Sequence, residues 1–220
     1  MLAVLTTSAA PVNVDIGTWA ALSGNTGAMR HTLTISGLEF TAFSVSKFGF
    51  SCGWSDLWAD SVISSRHEAP DDVGVGVCKS ATSASCPMQG NGVINEIANS
   101  QLRNYTAGSL TKSLQMFDVI RLGAGINRFI TKIGLSSLDG GAKDNFQIYG
   151  SNGATPNFLF GTIAFTLARG DNGTTHGVVN PVLNLLNSYC YVFVTTEDRS
   201  KNQNNFDFLL RSATYGSSVP

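Results

Sequence analysis

Charge is scarce in this sequence. Asp, Glu, Lys and Arg make up 13% of its 220 residues, about half the usual quarter. Fourteen basic residues against fifteen acidic ones leave a formal charge of −1, so the basic excess that an electrostatic nucleic-acid binder needs is missing. Long apolar runs are missing too, and no segment has the ~20 apolar residues that a membrane-crossing helix requires. No heptad pattern is sustained, which excludes a coiled coil. The three histidines follow no HExxH spacing, and the four cysteines form no CxxC pair, which speaks against a zinc centre. Hydroxyls, amides and 23 glycines fill the space that charge leaves. The 43% apolar and 10% aromatic content excludes a disordered chain. The length suits one domain, 1–220, with an ordinary core and a neutral polar surface.

What is present reads as strand after strand. His31 to Ser36 alternates Leu33 and Ile35 with Thr32 and Thr34, the period of a half-buried strand. Glu39 to Phe50 is aromatic-rich. Leu114 to Leu122 and Phe129 to Leu135 follow, with Gly123 to Gly125 as a tight connection between them. Asn145 to Tyr149, Phe158 to Leu167, Tyr189 to Thr195 and Phe206 to Arg211 complete the set, and Asp171-Asn172-Gly173 supplies a turn. The pattern predicts an all-β fold, an antiparallel β-sandwich of jelly-roll type with long loops. One or two short helices are expected, at Val93 to Leu102 and at Pro181 to Leu186. Ser55 to Val62 is ambiguous. Residues 64–92, with two Pro, two Cys and several Gly, read as a long disulfide-tied loop.

An even cysteine count in a chain poor in charge fits disulfides and an oxidising compartment. Four cysteines allow three connectivities. The short Ser- and Ala-rich loop from Cys78 to Cys86 favours a local bridge, which leaves Cys52 with Cys190; buried free thiols are the alternative. Met1 to Ala10 looks like the tail of a secretory signal but lacks a basic leading region, so residues 1–12 are a signal remnant or a first strand.

Several motifs carry chemistry, each beside a plainer reading. Gly49-Phe50-Ser51-Cys52-Gly53 matches GxSxG, the nucleophile elbow of serine hydrolases, and Asp144 and His176 follow in the right order. No βαβ alternation accompanies it, so a turn at a strand end is the simpler account. Asp71, Asp72, Glu96, Asp139 and Asp144 lie in loop-like stretches that could hold calcium; solvated turns and caps need the same residues. Otherwise no cofactor is expected. Trp19, Trp54, Trp58, Tyr105, Tyr149, Tyr189 and Tyr215 could stack on sugar rings, although most aromatic residues in strands are core. Trp54 and Trp58, on a loop or helical turn, are the first candidates for a glycan contact. Asn104-Tyr105-Thr106 and Asn172-Gly173-Thr174 are glycosylation sequons. Arg169-Gly170-Asp171 is an adhesion-type triplet that any such turn can produce.

Gly74-Val75-Gly76-Val77-Cys78 resembles the GLGVC-type segment of exported bacterial proteins that carry the PEP-CTERM sorting signal. Asn95-Glu96-Ile97-Ala98-Asn99 is similar to their NEID-type segment, with Ala98 in place of an acidic residue. Leu135 to Gly140 resembles their SSLD segment, and Asp144 to Ser151 the strand that follows. Ser218-Val219-Pro220 is what removal of a signal beginning Val-Pro-Glu-Pro would leave. The resemblance implies a secreted Gram-negative surface protein, sorted by an exosortase and associated with extracellular polysaccharide or biofilm matrix. It implies no particular enzymatic activity. The reading that combines these features is a non-enzymatic, self-associating matrix protein. A lectin-like glycan-binding module, calcium-assisted or not, is the alternative, and a hydrolase using Ser51 is a remote one. Low charge removes repulsion between neighbouring copies, and the strand-prone first and last segments could add to a neighbour's sheet edge.

Overall fold

The computed structural model describes residues 10–23, 31–50, 53–68, 72–78, 97–98, 101–107, 110–138, 146–155, 165–170, 177–183, 189–196 and 207–217. In chain order the elements are β1 (Val12–Asp15), α1 (Ile16–Ser23), β2 (Thr32–Ile35), β3 (Leu38–Phe50), β4 (Gly53–Asp60), β5 (Val62–Glu68), β6 (Asp72–Cys78) and β7 (Ile97–Ala98). They continue with β8 (Gln101–Ala107), β9 (Leu110–Gly123), β10 (Phe129–Leu138), β11 (Phe146–Ser151), β12 (Phe165–Gly170), β13 (Gly177–Val179), β14 (Tyr191–Thr196) and β15 (Asp207–Gly216). The fold is all-β, and every strand pair is antiparallel. No described helix is long and apolar enough to cross a membrane.

Two sheets share one core. The first runs β13-β10-β15-β6-β5, with β1 and β7 also on β15. The second runs β12-β11-β14-β9-β3-β2, with β4 on β3 and β8 on β9. Alternation sends Ile63, Val75, Ile133, Leu135, Phe208 and Leu210 of the first sheet against Leu38, Phe40, Ile120, Leu122, Ile148 and Val194 of the second, all fully or almost fully buried. The two layers are also tied by polar contacts. The Tyr215 hydroxyl of β15 donates to the carbonyl of Ser36, in the β2–β3 turn, at 2.7 Å.

That turn is a two-residue hairpin. Ile35 pairs with Leu38, and Ser36 and Gly37 adopt φ of 48° and 80°, the left-handed pair that matches strand twist. Glycine at 37 is also required by space, because a Cβ there would stand 2.9 Å from the Tyr215 hydroxyl.

Strands occupy two stretches read from sequence as something else. Within 64–92, β5 and β6 form a regular hairpin, Ser64 opposite Gly76 and Glu68 opposite Asp72; residues 69–71 and 79–92 lie outside the described residues. Val73, Val75 and Val77 are buried, and the interleaved glycines signal close packing rather than a loop. In place of a helix at Val93 to Leu102 the chain forms β7 and begins β8; residues 93–96 lie outside the described residues. In Ser55 to Val62, residues 55–60 belong to β4 and Val62 opens β5, with Ser61 between them. Of the helical turn expected at Pro181 to Leu186, residues 181–183 are irregular and 184–186 lie outside the described residues. The described helix, α1, was not anticipated.

Asp15 starts α1. Its carboxylate accepts the Thr18 backbone N–H at 2.9 Å and the Thr18 hydroxyl at 2.7 Å, the arrangement of an N-cap. The Thr18 backbone and hydroxyl donors, with the Arg211 charge, hold its pKa below the ordinary 3.8. A depressed folded pKa adds stability above the unfolded value and loses it as pH falls through the folded one. Asp15→Ala is therefore expected to cost about 1 kcal/mol at neutral pH. The gap between the two proteins should close below the acidic titration, read from urea melts across pH.

Candidate functional site

The face of the second sheet turned away from the shared core carries its own buried cluster: Phe43, Val45, Phe117, Val119, Tyr149 and Phe193. Register explains the arrangement. Thr41, Arg121, Phe193 and Tyr149 form one row across β3, β9, β14 and β11; Glu39, Gly123, Tyr191 and Ser151 form the next. Arg121 thus sits among aromatic residues on this sheet face.

Arg121 is 16% exposed. Its guanidinium lies 5.1 Å from the ring centroids of both Phe43 and Tyr191, within cation–π range. Nη1 donates to the Ala154 carbonyl at 3.1 Å and Nη2 to the Thr41 hydroxyl at 3.2 Å. Nη2 is also 3.7 Å from Glu39 Oε1, on a side chain that is 48% exposed. Thr41 donates to the same oxygen at 3.4 Å, so Oε2 remains open. His31 meets Phe43 edge-on from another side, 5.2 Å between centroids. Its Nδ1 is 3.0 Å from the Ser61 carbonyl and its Nε2 is 3.5 Å from Asp60.

Beside Arg121 an open cleft of about 440 Å³ is lined by Thr34, Glu39, Gly123, Cys190 and Tyr191, together with the β9–β10 connection at Gly125 and Ile126. Three groups in it have directional chemistry: the Glu39 carboxylate, the Thr34 hydroxyl and the Tyr191 ring. Gly123 forms the space, because Tyr191 stands directly opposite it on β14. Asn152 braces the wall by accepting the Cys190 N–H at 3.1 Å.

A second polar group is buried rather than open. Ser44 donates to Asp118 Oδ1 at 3.2 Å and lies 2.7 Å from the Ser61 hydroxyl. Thr195 donates to the Asp118 carbonyl at 2.7 Å. All four residues are buried, and the network links β3, β9, β14 and the β4–β5 junction. Hydrogen bonding offsets the cost of enclosing a carboxylate there.

The residues expected from sequence are distributed differently. Cys190 is a free, exposed thiol, so the Cys52–Cys190 bridge is not formed; its strand start faces the cleft instead of a partner sulfur. Cys78 is buried and disulfide-bonded, and both Cys52 and Cys86 lie outside the described residues. Asp72 opens β6, while Asp71, Glu96, Asp139 and Asp144 lie outside the described residues. Among the described residues no three His, Cys, Asp or Glu are grouped to hold a metal. Trp54 and Trp58 belong to strand β4, opposite Gly49 and Val45, not to a loop or helical turn. The GxSxG segment is the end of a hairpin: Phe50 pairs with Gly53 and strand follows, whereas a nucleophile elbow leads into a helix. Ser51, Asp144 and His176 lie outside the described residues.

Other aromatic candidates do structural work. Tyr215 anchors the β2–β3 turn, Tyr149 is buried, Trp19 packs against the core and Tyr189 covers Gly150. Comparison with protein-family models, characterised proteins and solved structures finds no match. The cleft is therefore interpreted from its own chemistry.

Proposed function

We propose that this chain is a non-catalytic, cell-surface β-sandwich that associates with extracellular polysaccharide through the Glu39–Tyr191 cleft. The observation that carries this reading is the cleft itself. An aromatic ring, a half-exposed carboxylate and a hydroxyl line a shallow open space, and sugar recognition needs an apolar platform beside hydrogen-bonding groups. The low surface charge fits a protein surrounded by polymer, and export with exosortase sorting follows from the family resemblance.

Gly123→Val tests the assignment. A Cβ at 123 meets only the Tyr191 ring, at 3.6 Å, an ordinary contact, and a β-branched residue suits a strand. The variant should fold with an unchanged Tm and lose at least about tenfold in affinity, 1.4 kcal/mol, in affinity electrophoresis against a polysaccharide panel. Undiminished binding would remove the cleft from consideration.

Self-association is the second reading, favoured by β2. This strand ends the described order of its sheet and presents Thr32 and Thr34 without a guarding charge, the kind of edge that accepts another strand. The terminal route has less support. β1 pairs with β15 of the same chain, Val12 opposite Tyr215. If β2 is the contact, Thr32→Lys should shift an assembly to monomer in size-exclusion chromatography; a wild-type chain monomeric at high concentration rejects the reading.

A further inference from the structure

We infer that the cleft selects an uncharged, hydroxyl-rich sugar chain and that Arg121 is the positioning residue behind this choice; the inference deepens the glycan-binding reading and rests on it. Glu39 is the charged side chain lining the cleft. Left alone, it would favour an amine-bearing polymer. Arg121 stands behind it, 3.7 Å from Oε1, and offsets its charge. The guanidinium belongs to the wall rather than to the open space: Arg121 does not line the cleft, it is mostly buried, each terminal nitrogen donates to the protein, one to Ala154 and one to Thr41, and its faces adjoin Phe43 and Tyr191.

The pair therefore presents one open carboxylate oxygen with little net field. That oxygen accepts from sugar hydroxyls, Thr34 donates or accepts, and Tyr191 meets the apolar C–H surface of a ring. A uronate would face the open oxygen of Glu39, and among the described residues no cation lines the wall. Arg128 is the alternative for an acidic chain: its Nη1 lies 3.8 Å from where a Cβ on the lining residue Gly37 would stand, but its guanidinium is held over Tyr215, 5.5 Å from the ring centroid, and it does not itself line the cleft. Binding by neutral hydrogen bonding and stacking is weakly screened by salt, unlike binding by charge.

The experiment compares soluble neutral glucans and mannans, alginate as the uronate and chitosan oligomers as the amine, at low and high salt. The wild type should prefer a neutral polymer, with affinity nearly independent of salt. Arg121→Met should lower neutral binding about tenfold, the scale of one charge-assisted hydrogen bond. It should also create a salt-sensitive preference for chitosan, which Glu39→Gln in the same chain removes. Arg121→Lys, which keeps the charge but not the fork, should lose affinity while remaining neutral-selective. A purely structural role for Arg121 would lower Tm and all binding together without changing charge preference, and would overturn the positioning claim. Preference for alginate, abolished by Arg128→Gln, would overturn the neutral selection while leaving glycan binding standing. Binding of none of the three classes would defeat both.

Discussion

Gly74→Ala should be among the most damaging single substitutions in this chain, although it adds only a methyl group. A Cβ at position 74 would lie 2.6 Å from the carbonyl oxygen of Leu210 and 3.0 Å from Leu209 Cβ. The first of these neighbours is backbone and cannot rotate away. Relief requires β6 to move from β15 at the place where the two strands meet, Val75 opposite Leu210. Both of those residues are fully buried in the shared core, so the movement would also open that core. Overpacking ordinarily costs about 1–3 kcal/mol, and a rigid backbone neighbour puts this site at the upper end or beyond. Against a typical total of ~5–15 kcal/mol, the variant should show a lowered urea midpoint and early loss of amide protection in β5 and β6. Gly123→Val, larger but meeting only the Tyr191 ring at ordinary contact distance, is the control. Equal melting of Gly74→Ala and wild type would show that the strands have room that the geometry denies them.

Phe40→Ala should produce the complementary loss, by emptying space. Phe40 is fully buried near the start of β3, between Leu33 of β2 and Leu122 of β9, and belongs to the core shared by both sheets. Truncation of a buried Phe removes its transfer energy and leaves a cavity, together about 3–5 kcal/mol. Phe40→Leu, which keeps most of the volume, should cost far less. Chemical denaturation of the two variants separates cavity from contact: a near-equal loss would mean that the neighbouring strands collapse into the space. The same β3 segment carries Glu39 and Thr41 on its other face, so Phe40→Ala should also weaken the cleft indirectly.

The alternation of side chains made the larger strands legible. Leu33 and Ile35 against Thr32 and Thr34 marked β2, and similar patterns marked β3, β9, β10, β11, β14 and β15. The β5–β6 hairpin was hidden because the buried Gly74 and Gly76 alternate with its valines, and glycine in sequence signals loop unless a neighbouring strand is known to pass within van der Waals contact. For α1 the signal is short: Asp15 directly ahead of Ile16 is an N-cap residue before an apolar run that includes Trp19, Ala20 and Leu22. The cleft was less accessible. Glu39, Arg121 and Tyr191 are far apart in the chain and become neighbours only through the registers Glu39–Gly123 and Tyr191–Gly123. No local spacing encodes those registers. The tryptophans drew attention by size, while the aromatic ring in the cleft is Tyr191. Likewise, a cysteine count suggests pairs, but only geometry shows that Cys190 stands unpaired at the surface.

The pairing of β1 with β15 has a mechanical meaning. The ladder is antiparallel, with Val12 opposite Tyr215 and Asp15 opposite Ser212. Tension entering ahead of Val12 and leaving after Tyr215 would pull on the same end of that short ladder. Its hydrogen bonds would open one after another, as in a zipper, instead of sharing the load in shear. A molecule stretched between two anchor points in a polymer network would thus yield first at β1, at low force, and its next restraint would be the Asp15 cap and the packing of α1. The rest of the sandwich, closed by longer ladders and the shared core, would stay folded while that first segment gives.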